Sequence, residues 1–259
     1  YKAAVKKKQK AWLIFALLFN FGILGVIKYG NFIVSNVGSL FGASGDDLFF
    51  HLALPLGISF YTFQTMGYLI DLYRGEYEPE RNFFKFALFV SYFPQLIQGP
   101  ISRFGSLSKD LYTGHAFDGR QVSFGLQRML YGYFKKMVIA DRIITGLTTI
   151  SGDPAAYSGT FVLVGMIFYA IDLYMDFSGG IDIVIGLSQA LGITLPENFK
   201  RPYFSKSLKD YWHRWHISLC NWFKDYLFYP ISTSPAMLAR AKKMKAAGHE
   251  GLSRRFTVY

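Results

Sequence analysis

Apolar runs long enough to cross a lipid bilayer recur along this chain of 259 residues, and they constrain its fold more than any other feature. The first run, residues 11–27, reads AWLIFALLFNFGILGVI, and apart from Lys28 its apolar character continues to Val37. A membrane-spanning helix needs about 20 such residues. A basic segment before an apolar run is also typical of a signal peptide, but no clear small-residue cleavage site follows. The run therefore predicts a first membrane helix.

The composition indicates the same class of protein. Hydrophobic residues make up 51% of the chain and charged residues only 17%, against roughly 25% charged in a soluble domain. The single cysteine, Cys220, excludes an internal disulfide bond. We therefore predict an all-α polytopic membrane protein with one membrane domain over residues 1–259. Because the chain has no initiator Met and stops after a basic segment, we expect it to be a portion of a longer polypeptide.

The net charge of +11 is concentrated at the two ends of the chain. Five lysines lie in residues 2–10 and six Lys or Arg residues in residues 240–255, which leaves 17 basic against 16 acidic residues between them. This distribution argues against a nucleic-acid partner. Under the positive-inside rule it predicts that both ends are cytoplasmic, with an even number of crossings between them. Helices starting near residues 11, 48, 160 and 181 are the candidates for these crossings.

Two later apolar stretches are interrupted. Residues 48–72, after a predicted loop at residues 42–47, contain Pro55 and Gly57. Residues 83–101 end in FPQLIQGP at 93–100. Proline in a membrane helix frees a backbone carbonyl and kinks the helix unless neighbouring groups compensate. We expect a kink in the first stretch and a broken or re-entrant helix in the second.

Charged residues decide the interpretation of the central segment. Residues 122–147 contain charges at Arg128, Lys135, Lys136, Asp141 and Arg142. Because so many charges are costly at the bilayer centre, we expect an amphipathic helix at the interface or packed inside the protein. After a break at residues 151–154, residues 160–175 and 181–193 predict two further apolar helices, joined at residues 176–180.

Three carboxylates, Asp172, Asp176 and Asp182, lie in or beside these two apolar segments. A carboxylate within a membrane segment is a candidate functional group, because burying an unpaired charge is costly. Asp182 is equally well explained as a helix cap, since it would lie in the first turn after two glycines, where the helix dipole favours negative charge. For Asp176 the sequence favours a role in bracing the backbone.

Residues 207–227 contain the strongest candidate for chemistry. As one helix, this segment would place three of the four tryptophans and one imidazole on the same face. That face comprises Trp212, Trp215, His216, Leu219, Trp222, Phe223 and Tyr226. A helix with one aromatic and one charged face is typical of a membrane interface or the wall of a buried cavity. The alternative is that His216 is a core histidine bonded to backbone.

Three motifs in this part of the chain carry a family resemblance. They read YMDFSGGID at residues 174–182, LPENFKRPY at 195–203 and YWHRWHISL at 211–219. In this order they resemble the membrane-bound O-acyltransferase family, in the branch of bacterial alginate O-acetyltransferases and teichoic acid D-alanyl transferases. Residues 55–64 and 93–100 fit the same branch, so the resemblance covers most of the chain.

The resemblance implies transmembrane, re-entrant and interfacial helices around a central tunnel, in a multi-pass protein of the bacterial inner membrane. It implies transfer of an acyl group, in particular acetyl, from a thioester donor such as acetyl-coenzyme A or an acyl carrier protein. The acceptor is expected to be a hydroxyl of an extracytoplasmic polysaccharide or cell-wall polymer. Expected partners are the lipid bilayer and an extracytoplasmic acyltransferase protein, and no bound cofactor or metal is expected.

The resemblance makes His216 the motif histidine and the expected catalytic base, and an imidazole with an ordinary pKa of about 6.5 suits that task. The residues expected to bind substrate or to support the site are Trp212, Trp215, Asp176, Ser178, Asp182, Asn198, Gln64 and Gln98. The chain departs from the family pattern at two points. ISTSP at residues 231–235 replaces a glycine-rich turn, and the family's second histidine, in a later Trp-His-Gly segment, has no counterpart in these residues.

Other interpretations remain open at this point. A transporter or flippase for a cell-envelope precursor would also use broken helices and membrane carboxylates, although the sequence lacks the internal symmetry that transporters often show. Cys220, one turn after His216, is a candidate for covalent acyl transfer, against the simpler interpretation of a small residue packed in an apolar wall. A non-catalytic scaffold would leave the clustered tryptophans beside His216 unexplained.

Overall fold

Helices account for all the regular structure in the described part of the chain, as the sequence predicts. The computed structural model describes residues 2–40, 55–153 and 155–248, with side chains in the first range from residue 8 to residue 37. The chain folds as two compact units, Tyr1–Pro196 and Glu197–Tyr259.

The first unit is built from helices of very different length, from the 8 residues of Phe83–Val90 to the 39 residues of Lys2–Leu40. Its described helices are α1 (Lys2–Leu40), α2 (Ile58–Arg74), α3 (Phe83–Val90), α4 (Phe104–Tyr112), α5 (Gly119–Tyr133), α6 (Asp141–Gly152) and α7 (Thr160–Ala190). A 3-10 turn, Phe93–Gln95, follows α3, and a π-helical segment, Phe134–Ala140, joins α5 to α6.

The second unit consists of shorter helices. Its described elements are α8 (Leu208–Arg214), α9 (Ile217–Phe223), α10 (Tyr229–Ser232) and α11 (Pro235–Ala246). A 3-10 turn, Pro202–Phe204, precedes α8, and a π-helical segment, Lys224–Phe228, joins α9 to α10.

The broken helix expected in residues 83–101 is confirmed, whereas the kink expected in residues 48–72 is not tested, because the residues before Pro55 lie outside the described part of the chain. α2 begins only after Gly57, whose φ of 75° is left-handed and whose Cβ, if it had one, would lie 2.2 Å from the Leu96 carbonyl oxygen. α3 ends at Val90 and a 3-10 turn follows, so residues 83–101 form a broken helix. The predicted loop at residues 42–47 and the start of the second stretch lie outside the described residues.

Aromatic side chains join α2, α3 and α4 into a small core. Tyr68 packs against Phe86 and Phe104, each at 4.8 Å between ring centroids. Phe89, which is fully buried, meets Phe104 edge-on at 5.1 Å. Offset and edge-to-face pairs of this kind stabilise a core beyond the burial of their area.

Two of the described helices, Lys8–Val37 within α1 and Thr160–Ala190, are long and apolar enough to cross a membrane. α7 corrects the prediction of two helices joined at residues 176–180, because it runs through that segment without interruption. The reason is tertiary packing. Gly179 and Gly180 do not form a turn but allow close approach: a Cβ on Gly179 would lie 2.8 Å from the Gly132 carbonyl oxygen, and one on Gly180 1.9 Å from Oε1 of Gln98.

The charged segment 122–147 is helical, as predicted, but in three consecutive pieces: α5, the π-helical segment and α6. One face of this assembly packs antiparallel against α7, as the contacts of Gly125 with Gly186 and of Gly132 with Gly179 show. Small residues let two backbones approach closely, which is the usual way for membrane helices to pack.

Candidate active site

The segment that carries His216 is broken at that residue. The single helix predicted over residues 207–227 is wrong: α8 ends at Arg214, His216 has a left-handed backbone (φ 45°, ψ 53°), and α9 begins at Ile217. A non-glycine residue in this region costs of the order of 1–3 kcal/mol and persists only where the surroundings hold it.

Residues of the LPENFKRPY motif stabilise this break, because they form hydrogen bonds with backbone groups that would bond to each other in a continuous helix. The Lys200 N–H donates to the Arg214 carbonyl at 2.9 Å, and the Ile217 N–H donates to the Asn198 carbonyl at 3.0 Å. In a continuous helix the Arg214 carbonyl would accept from the N–H of Ser218. That N–H instead donates to the side-chain oxygen of Asn198, also at 3.0 Å. Two of the family motifs thus form one local structure around the histidine.

Asn198 is the most enclosed polar residue beside His216, with none of its surface exposed. Its Oδ1 accepts from the backbone N–H of Ser218 and from the Ser218 hydroxyl at 2.9 Å, and it lies 3.3 Å from Nδ1 of His216. Its Nδ2 is buried too and has no hydrogen-bond partner among the described residues. The imidazole is therefore held by a rigid, inward-facing amide.

Trp215 forms an aromatic wall next to the histidine. It is 8% exposed, meets Phe199 edge-on at 5.0 Å and stacks with Tyr211 at 5.7 Å. Trp212, in contrast, is 51% exposed. Because the helix breaks after Arg214, the predicted continuous aromatic face does not form.

The partly buried environment of His216 determines the protonation state of its imidazole. Burial lowers the pKa of the imidazole from 6.5 to about 4. The residue lies outside the two candidate membrane-spanning helices. The imidazole is therefore neutral near pH 7 and carries a lone pair that accepts a proton.

Cys220 is less suited to chemistry than to packing. Its Sγ lies 3.5 Å from the Trp215 carbonyl, to which it donates. Burial raises the pKa of the thiol. Because the thiolate is the nucleophilic form, both observations favour the interpretation of Cys220 as a packed side chain.

Asp182, on α7 in the first unit, belongs to a partly buried ionic cluster. It accepts from Arg128 through Nε at 3.0 Å and through the terminal nitrogen at 2.8 Å, and it forms an ion pair with Lys135. Lys135 also donates to the Ser178 hydroxyl at 3.0 Å. The helix-cap interpretation of Asp182 is wrong, because α7 continues through this position.

The remaining predicted site residues of the first unit have other contacts. The side chain of Asp176 pairs with Lys136, and its predicted role in bracing the backbone stays a prediction. Gln98 donates to the Phe177 carbonyl at 3.3 Å. Gln64, on α2, is 3% exposed, and its Nε2 has no hydrogen-bond partner among the described residues.

The structure thus brings together His216, Asn198 and Trp215 in the second unit, and Asp176, Ser178, Asp182 and Gln98 along α7 in the first. The sequence does not single out Ser218 as a site residue, although it stands two positions after the histidine in the third motif. From the sequence, Arg128 and Lys135 are interpreted only as charges that restrict where their helix can lie. The nearby apolar segments contain carboxylates, and this combination could have predicted the ion pairs.

No group of three His, Cys, Asp or Glu side chains that could hold a metal ion occurs in residues 8–37, 55–153 and 155–248.

Comparison with known proteins identifies the family. The model of the MBOAT, membrane-bound O-acyltransferase, family matches residues 80–245, well over half of the chain. The chain belongs to this family. The match includes α7, the buried Asn198 and the break at His216, and the resemblance inferred from three motifs is confirmed.

Curated relatives carry related names. A probable alginate O-acetylase AlgI of Pseudomonas syringae is 39% identical over 224 residues, which are 86% of this chain and 43% of that protein. A peptidoglycan O-acetyltransferase of Helicobacter pylori is 35% identical over 251 residues, covering 86% of this chain and 47% of that protein. A teichoic acid D-alanyltransferase of Bacillus subtilis is 32% identical over 178 residues, covering 67% of this chain and 44% of that protein. The chain thus spans less than half the length of each of these relatives.

Proposed function

We propose that the protein is a membrane O-acyltransferase that moves an acyl group, in particular acetyl, from a thioester donor to a hydroxyl of an extracytoplasmic polysaccharide or cell-wall polymer. The observation that carries this proposal is the neutral, half-buried imidazole of His216, held by the Asn198 amide beside the Trp215 wall. The relatives, named for acetyl or D-alanyl transfer to alginate, peptidoglycan and teichoic acid, support the reaction class.

The proposed reaction needs one base and no bound cofactor. The acceptor hydroxyl oxygen attacks the thioester carbonyl carbon while the imidazole of His216 takes the hydroxyl proton. The tetrahedral intermediate then collapses, the carbon–sulfur bond breaks, and the imidazolium returns the proton to the leaving thiolate. Acetyl-coenzyme A or an acyl carrier protein thioester is the proposed donor, as co-substrate rather than resident cofactor.

We assign supporting roles to the other predicted residues. Trp215 and Trp212 would shape the approach to the imidazole. Two kinds of contact would fix α7, which we propose contributes to the central tunnel that the resemblance implies. They are the ion pairs of Asp176 and Asp182 and the hydrogen bonds of Ser178 and Gln98. Gln64 offers a buried amide whose Nε2 is unsatisfied among the described residues and would serve a bound substrate or water.

A deletion strain tests the proposed activity directly. Cells that lack the gene are complemented with the complete wild-type polypeptide, with His216→Ala or with His213→Ala, and alkali-released acetate and D-alanine are measured from isolated envelope polymers. His213 is the matched control, because it lies three residues earlier and is exposed. We expect His216→Ala to abolish O-acylation at unchanged protein abundance and His213→Ala to retain it. Full O-acylation in His216→Ala would refute the proposal.

Isolated membranes distinguish the enzyme from a transporter or flippase, an interpretation that none of the relatives supports. Membranes are supplied with radiolabelled acetyl-coenzyme A, and label on the polymer is counted. Label that depends on His216 supports acyl transfer, and mass spectrometry of the product identifies the acceptor. Transport of a precursor without any transfer of label would favour the alternative.

We also propose that the protein lies in the inner membrane of a bacterium with both basic ends in the cytoplasm and with an extracytoplasmic acyltransferase as partner. The four crossings expected from the sequence need revision, because the starts near residues 160 and 181 both lie in α7. The proposed topology keeps an even number of crossings, because the positive-inside rule would place both basic ends on the same side. Reporter tags fused before Lys2 and after residue 248 should both report from the cytoplasm, and tags on opposite sides would contradict this topology.

A further inference from the structure

The side-chain amide of Asn198 has one orientation that its neighbours permit. The oxygen and nitrogen of an asparagine amide look alike in shape, so the assignment rests on the hydrogen bonds around it. The backbone N–H of Ser218, 3.0 Å away, can only donate. The atom that it meets must therefore be the acceptor, Oδ1, and not the amide nitrogen.

This orientation decides which nitrogen of His216 carries the proton. Nδ1 lies 3.3 Å from the same Oδ1, and an amide oxygen can only accept. The contact is a hydrogen bond if Nδ1 is protonated, whereas the other tautomer would bring two lone pairs together. The neutral imidazole therefore holds its proton on Nδ1 and its lone pair on Nε2.

The backbone of Asn198 fixes the same imidazole from a second direction. Its carbonyl accepts from the N–H of Ile217, the residue that follows His216. Main chain and side chain of one residue thus hold both the left-handed backbone of His216 and the orientation of its ring. A separate change in either contact would move the imidazole.

The amide nitrogen of Asn198 supplies an independent observation. It is buried and has no hydrogen-bond partner among the described residues, although an unsatisfied buried donor is unfavourable. The hydrogen-bonding contacts of this side chain are therefore made through its oxygen, with Nδ1 of His216 and with the N–H and hydroxyl of Ser218.

We propose that Asn198 is the positioning residue of the acyl transfer, which keeps the proton of His216 on Nδ1 so that Nε2 is the atom that receives the hydroxyl proton. This proposal rests on the proposed function of His216 as the base. It gives the motif LPENFKRPY, which contains Asn198, a role in the chemistry of the motif YWHRWHISL, which contains His216. Asn198 acts through His216, and the substrate does not need to touch it.

Three variants of the complete polypeptide in native membranes test the proposal. Asn198→Leu removes the acceptor at nearly constant size, Asn198→Asp keeps an acceptor oxygen and adds a negative charge, and Asn221→Asp is the control for the added charge. Asn221 is exposed on α9, within two turns of His216. Transfer of label from acetyl-coenzyme A is measured against pH, and protein abundance and thermal unfolding are measured in parallel.

We expect Asn198→Leu to lower kcat at least about tenfold, since a positioned base contributes about 10²–10⁴-fold. Asn198→Asp should retain activity, and the acid limb of its pH profile should move to higher pH because a carboxylate beside the imidazole raises its pKa. Asn221→Asp should change neither the rate of label transfer nor the acid limb of the pH profile. If Asn198 had only a structural role, its substitutions would lower protein abundance, and the acid limb of the pH profile would not move in Asn198→Asp. This result would overturn the proposal.

A spectroscopic readout separates this proposal from the proposed function. Nitrogen NMR of ¹⁵N-histidine-labelled protein distinguishes the two neutral tautomers, and the His216 signal is assigned by its loss in His216→Ala. An Nδ1–H tautomer that shifts toward Nε2–H in Asn198→Leu supports the proposal, even if His216→Ala proves active and the proposed base is wrong. An Nε2–H tautomer in the wild type would overturn the proposal, even if His216→Ala is inactive.

Discussion

Gly132 and Gly179 lie back to back where α5 crosses α7, so close that a Cβ on Gly179 would lie 2.8 Å from the Gly132 carbonyl oxygen. The same contact recurs seven residues away, between Gly125 and Gly186. A spacing of seven on both helices keeps the two contacts on one face of each helix. The crossing brings Lys135 into reach of Ser178 and Asp182.

Gly179→Ala should therefore destabilise the protein by about 1–3 kcal/mol, as expected when a methyl group is forced into a packed contact. Gly146→Ala is the matched control, because Gly146 is also helical but has nothing within 4 Å of the position that an alanine Cβ would take. It should stabilise α6 by about 0.5–1 kcal/mol, since alanine loses less backbone entropy than glycine. Thermal unfolding in one detergent compares the two, and equal shifts would contradict the close crossing.

The ionic cluster on α7 predicts unequal costs for its two carboxylates. Asp182→Ala would leave the buried Lys135 without its carboxylate, and breaking such a pair costs about 3–5 kcal/mol. Asp176→Ala should cost less, because the side chains of Asp176 and Lys136 are 46% and 40% exposed. Protein abundance in membranes and thermal unfolding measure the difference. A larger loss in Asp176→Ala would show that burial does not govern these pairs.

The sequence predicts the helices well where the signal is local. The apolar run in α1 and the proline after α3 act through nearby residues, and both predictions agree with the described structure. The errors occur where a distant partner decides. Two adjacent glycines indicate a turn, yet contacts with Gly132 and Gln98 keep Gly179 and Gly180 helical.

The break at His216 has the same kind of cause. The tryptophan spacing indicates one continuous helix. Asn198, which lies 18 residues before His216, instead accepts hydrogen bonds from the backbone N–H groups of Ile217 and Ser218. No periodicity within residues 207–227 contains that information. The family motifs, in contrast, single out both His216 and Asn198 as candidate site residues, although the two lie in different segments of the sequence.

The pH dependence of the protein should reflect the half-buried imidazole of His216. Because burial lowers the pKa of His216 from 6.5 to about 4, the folded state favours the neutral ring. The resulting contribution to stability is complete above pH 6.5 and is lost as the pH falls from there through about 4. Transfer by the neutral base should likewise decline only near pH 4. Measurements of the transfer rate and of thermal unfolding against pH test these two predictions. An acid limb of the rate near pH 6.5 that is unchanged in His213→Ala would contradict the burial of His216.

Cys220 provides the last prediction, because it separates direct acyl transfer from a covalent route. A covalent route requires a thiolate, but burial raises the pKa of this thiol and its Sγ is directed to the Trp215 carbonyl. Cys220→Ser should therefore retain nearly full transfer of label, whereas Cys220→Phe should impair it by crowding the wall beside Trp215. Loss of activity in both variants, together with an acyl group on Cys220 that hydroxylamine releases from the wild type, would instead establish a thioester intermediate.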